Sequence, residues 1–150
     1  MAANRVLIEQ KISAPIETVF DRLADHNRMG EWLSADISRT KDSGNASEGV
    51  NGTGSVRTIR ILKLLDFDET VVRCEKPGTI EYRISRGSPL RNHLGRINLK
   101  ANGGDVYIQW EITFDMAIPL TGGITALLLK AAIGRGLATL RKQIEADLKK

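Results

Sequence analysis

The chain has 150 residues, of which 41% are hydrophobic, 27% charged and 5% aromatic, and its 22 Lys and Arg against 18 Asp and Glu give a net charge of +4. This length supports a hydrophobic core without disulfides, and we expect residues 1–150 to form a single domain. The mild, mixed basicity and the scattered aromatic residues argue against nucleic-acid binding, which needs basic side chains gathered on one face.

The cysteine content and the apolar stretches indicate a cellular compartment. The only cysteine, Cys74, can form no internal disulfide, which favours a reducing cytoplasm. The first residues lack the apolar segment of a signal peptide, and the most apolar run, Ile124 to Leu129, is far shorter than the ~20 residues of a membrane span. We therefore expect a cytoplasmic protein without a membrane span.

The first third of the chain predicts a strand followed by two short helices. Residues from Val6 to Ile12 alternate as a strand does, and Pro15 marks the start of a helix. A second short helix is predicted from Arg28 to Leu33. The apolar residues of the first helix recur three and four positions apart, at Ile16, Val19, Phe20 and Leu23.

From Ala35 onward the pattern changes to short strands separated by turns, which indicates an antiparallel sheet. The predicted strands comprise residues 56–62, 70–75, 80–85, 91–100 and 106–117. Before them, the stretch from Gly44 to Gly54 is rich in Gly, Asn and Ser. We predict that it is a mobile loop, of the kind that often guards the mouth of a cavity.

The last two strands alternate clearly enough to assign their faces, and a turn at residues 102–105 joins them as a hairpin. The later strand predicts a buried face made by Val106, Ile108, Trp110, Ile112 and Phe114. The earlier strand contributes His93, Gly95, Ile97 and Leu99 to one face.

The chain ends in a pattern typical of one long helix, from Thr121 to Lys150. Its predicted apolar stripe contains Ile124, Leu127, Leu128, Ala131, Leu137, Leu140, Ile144 and Leu148. Gly134 and Gly136 interrupt the helix, and each disfavours it by about 1 kcal/mol relative to alanine. We expect them to mark a bend or a place that leaves room for another group, and the stripe requires a sheet to cover.

Four local stretches, in this order, carry a family resemblance: Ile12–Phe20, Glu31–Leu33, Gly52–Arg57, and Gly103–Val106 before Trp110. Together with the element order they resemble the START-like superfamily, also called SRPBCC, helix-grip or Bet v 1-like. Within it, the chain is similar to the polyketide cyclase/dehydrase and lipid-transport group. The resemblance implies an α+β fold, in which a curved antiparallel sheet of about six or seven strands wraps around the C-terminal helix and leaves an apolar cavity between them.

The resemblance and the assigned faces together predict a set of ligand-binding residues. A tryptophan after the second short helix is a feature of the family, and here it is Trp32. Tyr82 and Trp110 each bring a polar tip to an inward face, which suits orienting an apolar ligand. The full predicted set is Trp32, Tyr82, His93, Ile97, Trp110, Ile112, Leu128 and Ala131.

His93 is the one candidate for catalysis, because a neutral imidazole beside apolar residues could position or deprotonate a ligand. The only other histidine, His26, is expected in an exposed turn or in a capping role, so neither a metal site nor a catalytic triad can be assembled. We expect no cofactor and no metal.

The strand pattern also predicts whether nearby charged residues face the cavity or the solvent. Arg57 would clamp a carboxylate or phenolate if it turned into the cavity, whereas alternation places Arg83 in solvent. Asp66, Asp68 and Glu69 are predicted to lie in a solvated turn. The predicted inward positions therefore include no carboxylate.

Three functional classes follow. The first is a carrier or sensor that encloses a small hydrophobic molecule, lipid-like or polyketide-like, as a monomer or weak homodimer. The second is a polyketide aromatase/cyclase or dehydrase, which would need an acid and a base across the cavity from each other. The third is a protein-interaction module that meets an acidic partner through basic groups near the last helix.

Overall fold

The computed structural model describes residues 2–150 and contains seven strands and two α-helices. The strands are β1 (Asn4–Ile12), β2 (Asp36–Lys41), β3 (Val56–Ile61), β4 (Leu65–Glu75), β5 (Thr79–Arg86), β6 (Leu90–Asn102) and β7 (Asp105–Met116). The helices are α1 (Ile16–Ala24) and α2 (Gly122–Asp147), with short 3-10 helices at His26–Glu31 and Ala46–Glu48. The predicted α+β class and element order are confirmed.

All seven strands form one open antiparallel sheet in the order β1-β7-β6-β5-β4-β3-β2. The first two strands of the chain lie at opposite edges, because α1 and the following 3-10 helix carry the chain from one edge to the other. The long hairpins between β3 and β7 fill the sheet in sequence order.

The predicted inner face of the last hairpin is confirmed. The alternate residues of β7 from Val106 to Phe114 are all at most 2% exposed, and Ile97 and His93 of β6 are buried on the same face. Strand β1 pairs with β7 over nine positions, from Asn4 opposite Phe114 to Ile12 opposite Val106. The strict alternation of apolar residues therefore corresponds to a sheet with one covered face.

Strand β4 begins earlier than predicted, which corrects the expectation of a solvated acidic turn. Asp66 and Asp68 lie within the strand and bind Arg86 of the neighbouring β5, while Asp66 also accepts a hydrogen bond from Arg60 of β3. These cross-strand ion pairs stabilise strand positions that a single sequence suggests are a turn. Glu69, two residues before Val71, is buried.

The large buried side chains of helix α2 lie from its middle onward, which corrects five of the eight residues of the predicted stripe. Its buried large residues are Ile133, Leu137, Leu140 and Ile144. The side chains of Ile124, Leu127, Leu128 and Leu148 are instead between 51% and 70% exposed, and Ala131 is exposed as well.

By length and composition alone, α2 is long and apolar enough to cross a membrane. In its most apolar 18-residue stretch, 22% of the residues are buried in the fold. The burial of Leu137, Leu140 and Ile144 shows that its second half is part of the core. We therefore describe α2 as the closing helix of the fold.

The two glycines of α2 differ in their surroundings. A methyl group added at Gly136 would lie 2.5 Å from Leu33 Cδ2 and 3.0 Å from the carbonyl oxygen of Trp32, whereas one added at Gly134 would meet no atom within 4 Å. Gly136 therefore lets the segment after the 3-10 helix approach the backbone of α2. The room that these glycines were expected to leave is, at Gly136, filled by Leu33 and Trp32.

Candidate ligand-binding cavity

A cavity of about 170 Å³ lies between the inner face of the sheet and the middle of α2. Apolar side chains form most of its wall, contributed by β2 to β7, the segment 33–35 and α2. Engineered cavities of roughly 150 Å³ hold one benzene molecule. This cavity therefore has room for about one aromatic ring or a short aliphatic segment.

Four of the predicted ligand-binding residues line this cavity, namely Tyr82, His93, Trp110 and Ile112. Ile97 is buried in the core outside the wall. Trp32 also lies outside it, packed edge-on against Trp110 with ring centroids 6.2 Å apart.

Leu128 and Ala131 are exposed and do not reach the cavity, which corrects the predicted phase of the helix. The wall is built instead from the residues one position further along, Leu129 and Ala132, with Ile133 and Arg135. A helix turns by about 100° per residue, so an error of one position moves a side chain from the wall to the surface.

Arg57 of β3 lies two residues before Ile59 and therefore shares its inward-facing side of the strand. Its side chain lines the cavity and is 1% exposed. Its Nε donates a hydrogen bond of 2.8 Å to Oε1 of Glu69, its cross-strand neighbour on β4. Its guanidinium carbon lies 4.6 Å from the centre of the Tyr82 ring, within the range of a cation–π interaction.

Glu69 is the inward carboxylate that sequence analysis did not find. Burial raises the pKa of this carboxyl, and the neighbouring Arg57 opposes the rise. The parity of Phe67 and Val71, two residues to either side, was the available signal, since a strand extended back through them places Glu69 on the inner face.

His26 fixes the far side of the Arg57 guanidinium. Arg57 Nη1 lies 3.5 Å from His26 Nδ1 and 3.0 Å from the sulfur of Met29. On the other side of the ring, His26 Nε2 is 2.8 Å from Ser55 Oγ, which itself donates to the Gly52 carbonyl. The ring therefore donates from Nε2 and accepts at Nδ1.

His26 is thus buried at 1% exposure, which corrects the prediction of an exposed histidine. Burial lowers its pKa to about 3, with further lowering by Arg57 and Arg39. It is neutral at pH 7 and does not line the cavity, so its role is to hold Arg57 in place.

Two polar atoms of the ion pair remain available. Among residues 2–150, none hydrogen-bonds to Arg57 Nη2 or to Glu69 Oε2, and both side chains line the cavity. Neither atom is sealed from solvent. The cavity can therefore offer a donor and an acceptor to a polar group inside it.

Tyr82 and Trp110 form a second polar point in the wall. Trp110 Nε1 donates a hydrogen bond of 2.9 Å to Tyr82 Oη. Gly95 stands directly opposite Tyr82 on β6, and a side chain there would overlap the Tyr82 ring. Burial raises the pKa of Tyr82, so it remains a phenol at neutral pH.

His93 lies beside Tyr82 with ring centroids 5.4 Å apart. Its Nδ1 accepts the backbone N–H of Ile84 at 3.2 Å, which leaves the proton on Nε2. Burial, aided by Arg57 and Arg83, lowers its pKa to about 4. A neutral imidazole whose free nitrogen carries hydrogen can orient a ligand oxygen but cannot remove a proton in this tautomer.

The loop before β3 does not form part of the cavity wall. None of residues 44–54 lies in the wall, which corrects the prediction that this loop guards the mouth. Instead, Asn51 accepts hydrogen bonds from the backbone of His26 and the side chain of Arg39. Within residues 2–150, no three His, Cys, Asp or Glu side chains are grouped to hold a metal ion.

An open antiparallel sheet with a long C-terminal helix and an apolar cavity between them defines the helix-grip class of START-like and Bet v 1-like proteins. Residues 5–145 match the family model described as polyketide cyclase / dehydrase and lipid transport. The chain therefore belongs to this family.

Solved structures show the same fold at low sequence identity. A START superfamily protein from Mycobacterium smegmatis has a TM-score of 0.77 at 12% identity, with 96% of this chain and 99% of that chain covered. The protein XoxI from Bacillus cereus has a TM-score of 0.76 at 21% identity, covering 100% and 99%. A protein from Thermus thermophilus, TTHA0849, has a TM-score of 0.76 at 15% identity, covering 95% and 98%. No curated protein matches the sequence significantly.

Proposed function

We propose that this protein binds a small hydrophobic molecule, or the hydrophobic end of a larger one, and acts as a cytoplasmic carrier or sensor built as a single domain. The observation that carries the proposal is the apolar cavity of about 170 Å³ with one buried ion pair in its wall. Burial of apolar area would supply affinity, at about 25 cal/mol per Å².

The ligand that suits this cavity combines a ring or short chain with one hydroxyl or carbonyl group. Arg57 Nη2 would donate to its oxygen, while Glu69 Oε2 would accept a hydroxyl proton. Because both groups already lie in a low-dielectric site, a ligand that satisfies them avoids the loss that an unpaired polar group would incur. A compound without a polar group should bind more weakly.

The proposal is tested with phenol, whose single ring carries one hydroxyl group. Calorimetric titration should show saturable binding by the unmodified protein, and native mass spectrometry should show one bound molecule. Leu129→Trp should abolish binding because it fills the cavity, whereas Leu128→Trp changes the adjacent exposed position and should leave binding unchanged. Equal loss in both variants, or binding that survives in both, would contradict this location.

The polar part of the proposal has its own comparison. Benzene has the same ring without the hydroxyl, so the unmodified protein should bind phenol about tenfold more tightly, the value of one net hydrogen bond. An Arg57→Met/Glu69→Leu variant should bind the two compounds equally. A preserved preference would remove the ion pair from ligand recognition.

The buried carboxylate gives a specific reason to retain polyketide cyclisation or dehydration as the alternative. Glu69 supplies the inward carboxylate that such chemistry needs, and burial raises its pKa toward the range of a general acid. His93 would then orient the substrate oxygen. A poly-β-keto thioester should be converted by the unmodified protein and not by Glu69→Gln, while absence of turnover in the unmodified protein would reject the alternative.

A further inference from the structure

The exposed large apolar residues of the chain concentrate at one end of the molecule. Within residues 2–150, twelve such residues are exposed, and eight of them lie in the β3–β4 turn, at the first residue of β4, in the loop after β7 or in the first turns of α2. We call these eight the apolar end: Leu62, Leu64, Leu65, Ile118, Leu120, Ile124, Leu127 and Leu128.

The strand order brings these segments together. In an antiparallel sheet of this order, the ends of β3, β5 and β7 and the starts of β4 and β6 lie along the same side. The β3–β4 turn, the β5–β6 turn and the start of α2 therefore all lie on that side of the sheet. Ile61, Leu90 and Leu129, which line the cavity, adjoin these segments.

The β3–β4 turn exposes two leucines, and one of them, Leu62, has an unfavourable backbone conformation. Leu62 and Lys63 have φ values of 53° and 58°, the left-handed region that glycine and asparagine occupy with least strain. Leu62 and Leu64 are each 84% exposed. Stability alone would favour small polar residues here, so the leucines indicate contact with an apolar environment.

The loop after β7 and most of α2 carry positive charges and no negative ones. No Asp or Glu occurs from residue 117 to residue 144, whereas Lys130 and Arg135 lie within that range and Lys63 sits between the exposed leucines of the turn. Asp66, next to Leu65, is ion-paired with Arg60 and Arg86, whereas Asp115 accepts a hydrogen bond from the neutral side chain of Asn92 and keeps its negative charge.

We infer that the apolar end docks on a lipid bilayer that contains anionic headgroups, with its leucines in the acyl boundary and Lys63 and Lys130 at the phosphate level. Apolar side chains flanked by lysines are the arrangement that binds such surfaces. This goes beyond the proposed cavity function, and it requires no ligand in the cavity.

A bilayer suits the shape of the apolar end better than a second copy of the chain does. The leucines project from a hairpin turn, a loop and a helix as separate protrusions, and a fluid surface accommodates each independently. A homodimer would instead require these protrusions to pack against one another and would bring Lys63 and Lys130 of both copies close together.

The test is co-sedimentation with two kinds of vesicle, one of phosphatidylcholine alone and one of equal parts phosphatidylcholine and phosphatidylglycerol. The unmodified protein should bind the anionic vesicles, and less so at high salt. Leu62→Ser/Leu64→Ser and Leu127→Ser/Leu128→Ser should each weaken binding about tenfold or more, because each removes two exposed leucine side chains that the bilayer would bury. Lys63→Glu should weaken the binding to anionic vesicles without removing any apolar side chain.

Val72→Ser/Tyr107→Ser is the matched control, since both residues are exposed and apolar but lie outside the apolar end. It should bind as the unmodified protein does, and unchanged thermal unfolding should accompany every variant. Absence of vesicle binding, or equal binding by all variants, would overturn the inference. So would a dimer in analytical ultracentrifugation that the leucine variants dissociate, because the apolar end would then be a self-association surface.

Discussion

Arg57 and Glu69 face each other across adjacent strands and form a hydrogen-bonded ion pair with side chains only 1% and 10% exposed. Their neighbours are mostly apolar, so neither charge has another partner of opposite sign at this distance in the described structure. Removal of one member leaves the other buried and unpaired, which is far less favourable than replacing both.

This pairing predicts a non-additive effect on stability. Glu69→Leu and Arg57→Met alone should each lower the free energy of unfolding by about 3–5 kcal/mol, whereas the double variant should recover most of that loss. Urea unfolding measures each value. Lys76→Met serves as the control, because its ion pair with Asp21 is exposed on both sides and should contribute less than about 1 kcal/mol. Additive losses would show that the two residues do not act as a pair.

The two buried histidines predict a loss of stability in mild acid. The folded state holds the pKa of His26 at about 3 and that of His93 at about 4, against 6.5 in the unfolded chain. The unfolded state therefore takes up protons first as the pH falls below 6.5. The free energy of unfolding should fall by up to about 1.4 kcal/mol per pH unit for each histidine.

Urea unfolding between about pH 7 and pH 5 checks this slope, a window chosen from the unfolded histidine pKa. These are the only two histidines in the chain, so a His26→Gln/His93→Gln variant should lose the slope. The raised pKa of Glu69 acts in the opposite direction, because its contribution to stability falls as the pH rises. A steep slope that persists in the double variant would contradict the assignment.

Gly134 and Gly136 predict opposite effects of the same substitution within one helix. Gly134→Ala adds a methyl group in open space and should stabilise the protein by about 0.5–1 kcal/mol through helix propensity. Gly136→Ala would meet the Trp32 carbonyl, which cannot move without the backbone, and should destabilise by about 1–3 kcal/mol. Thermal unfolding measures both, and stabilisation by both would mean that α2 shifts away from Trp32 freely.

The buried face of an element could be predicted from the sequence where one hydrophobic periodicity runs through the whole element. Alternation in β6 and β7 gave the correct inner face because every second residue is apolar and buried, with Trp110 and Ile112 in the cavity wall. The order of elements could also be predicted, since turn residues separate the strands. The ends of β3, β4 and β5 could not be predicted as well, because ion-paired charged residues stand there in place of the alternating apolar residues that mark a strand.

The parts of the cavity that were missed depend on contacts between elements. Glu69 is buried because Arg57 stands beside it on another strand, and register between strands is not visible in one sequence. The phase of α2 was ambiguous because Leu127, Leu128 and Leu129 are consecutive and only the third faces inward. His26 follows a polar residue after α1, and nothing local indicates its burial beneath Ser55.

Within residues 2–150, strand β1 pairs with β7 alone, about a hundred residues further along the chain. During synthesis, β1 is made long before β7, so its apolar side chains have no partner strand at first. Contacts between such distant segments slow folding, because a large loop must close first. We therefore expect the pairing of β1 with residues 105–116 of β7 to form late in folding.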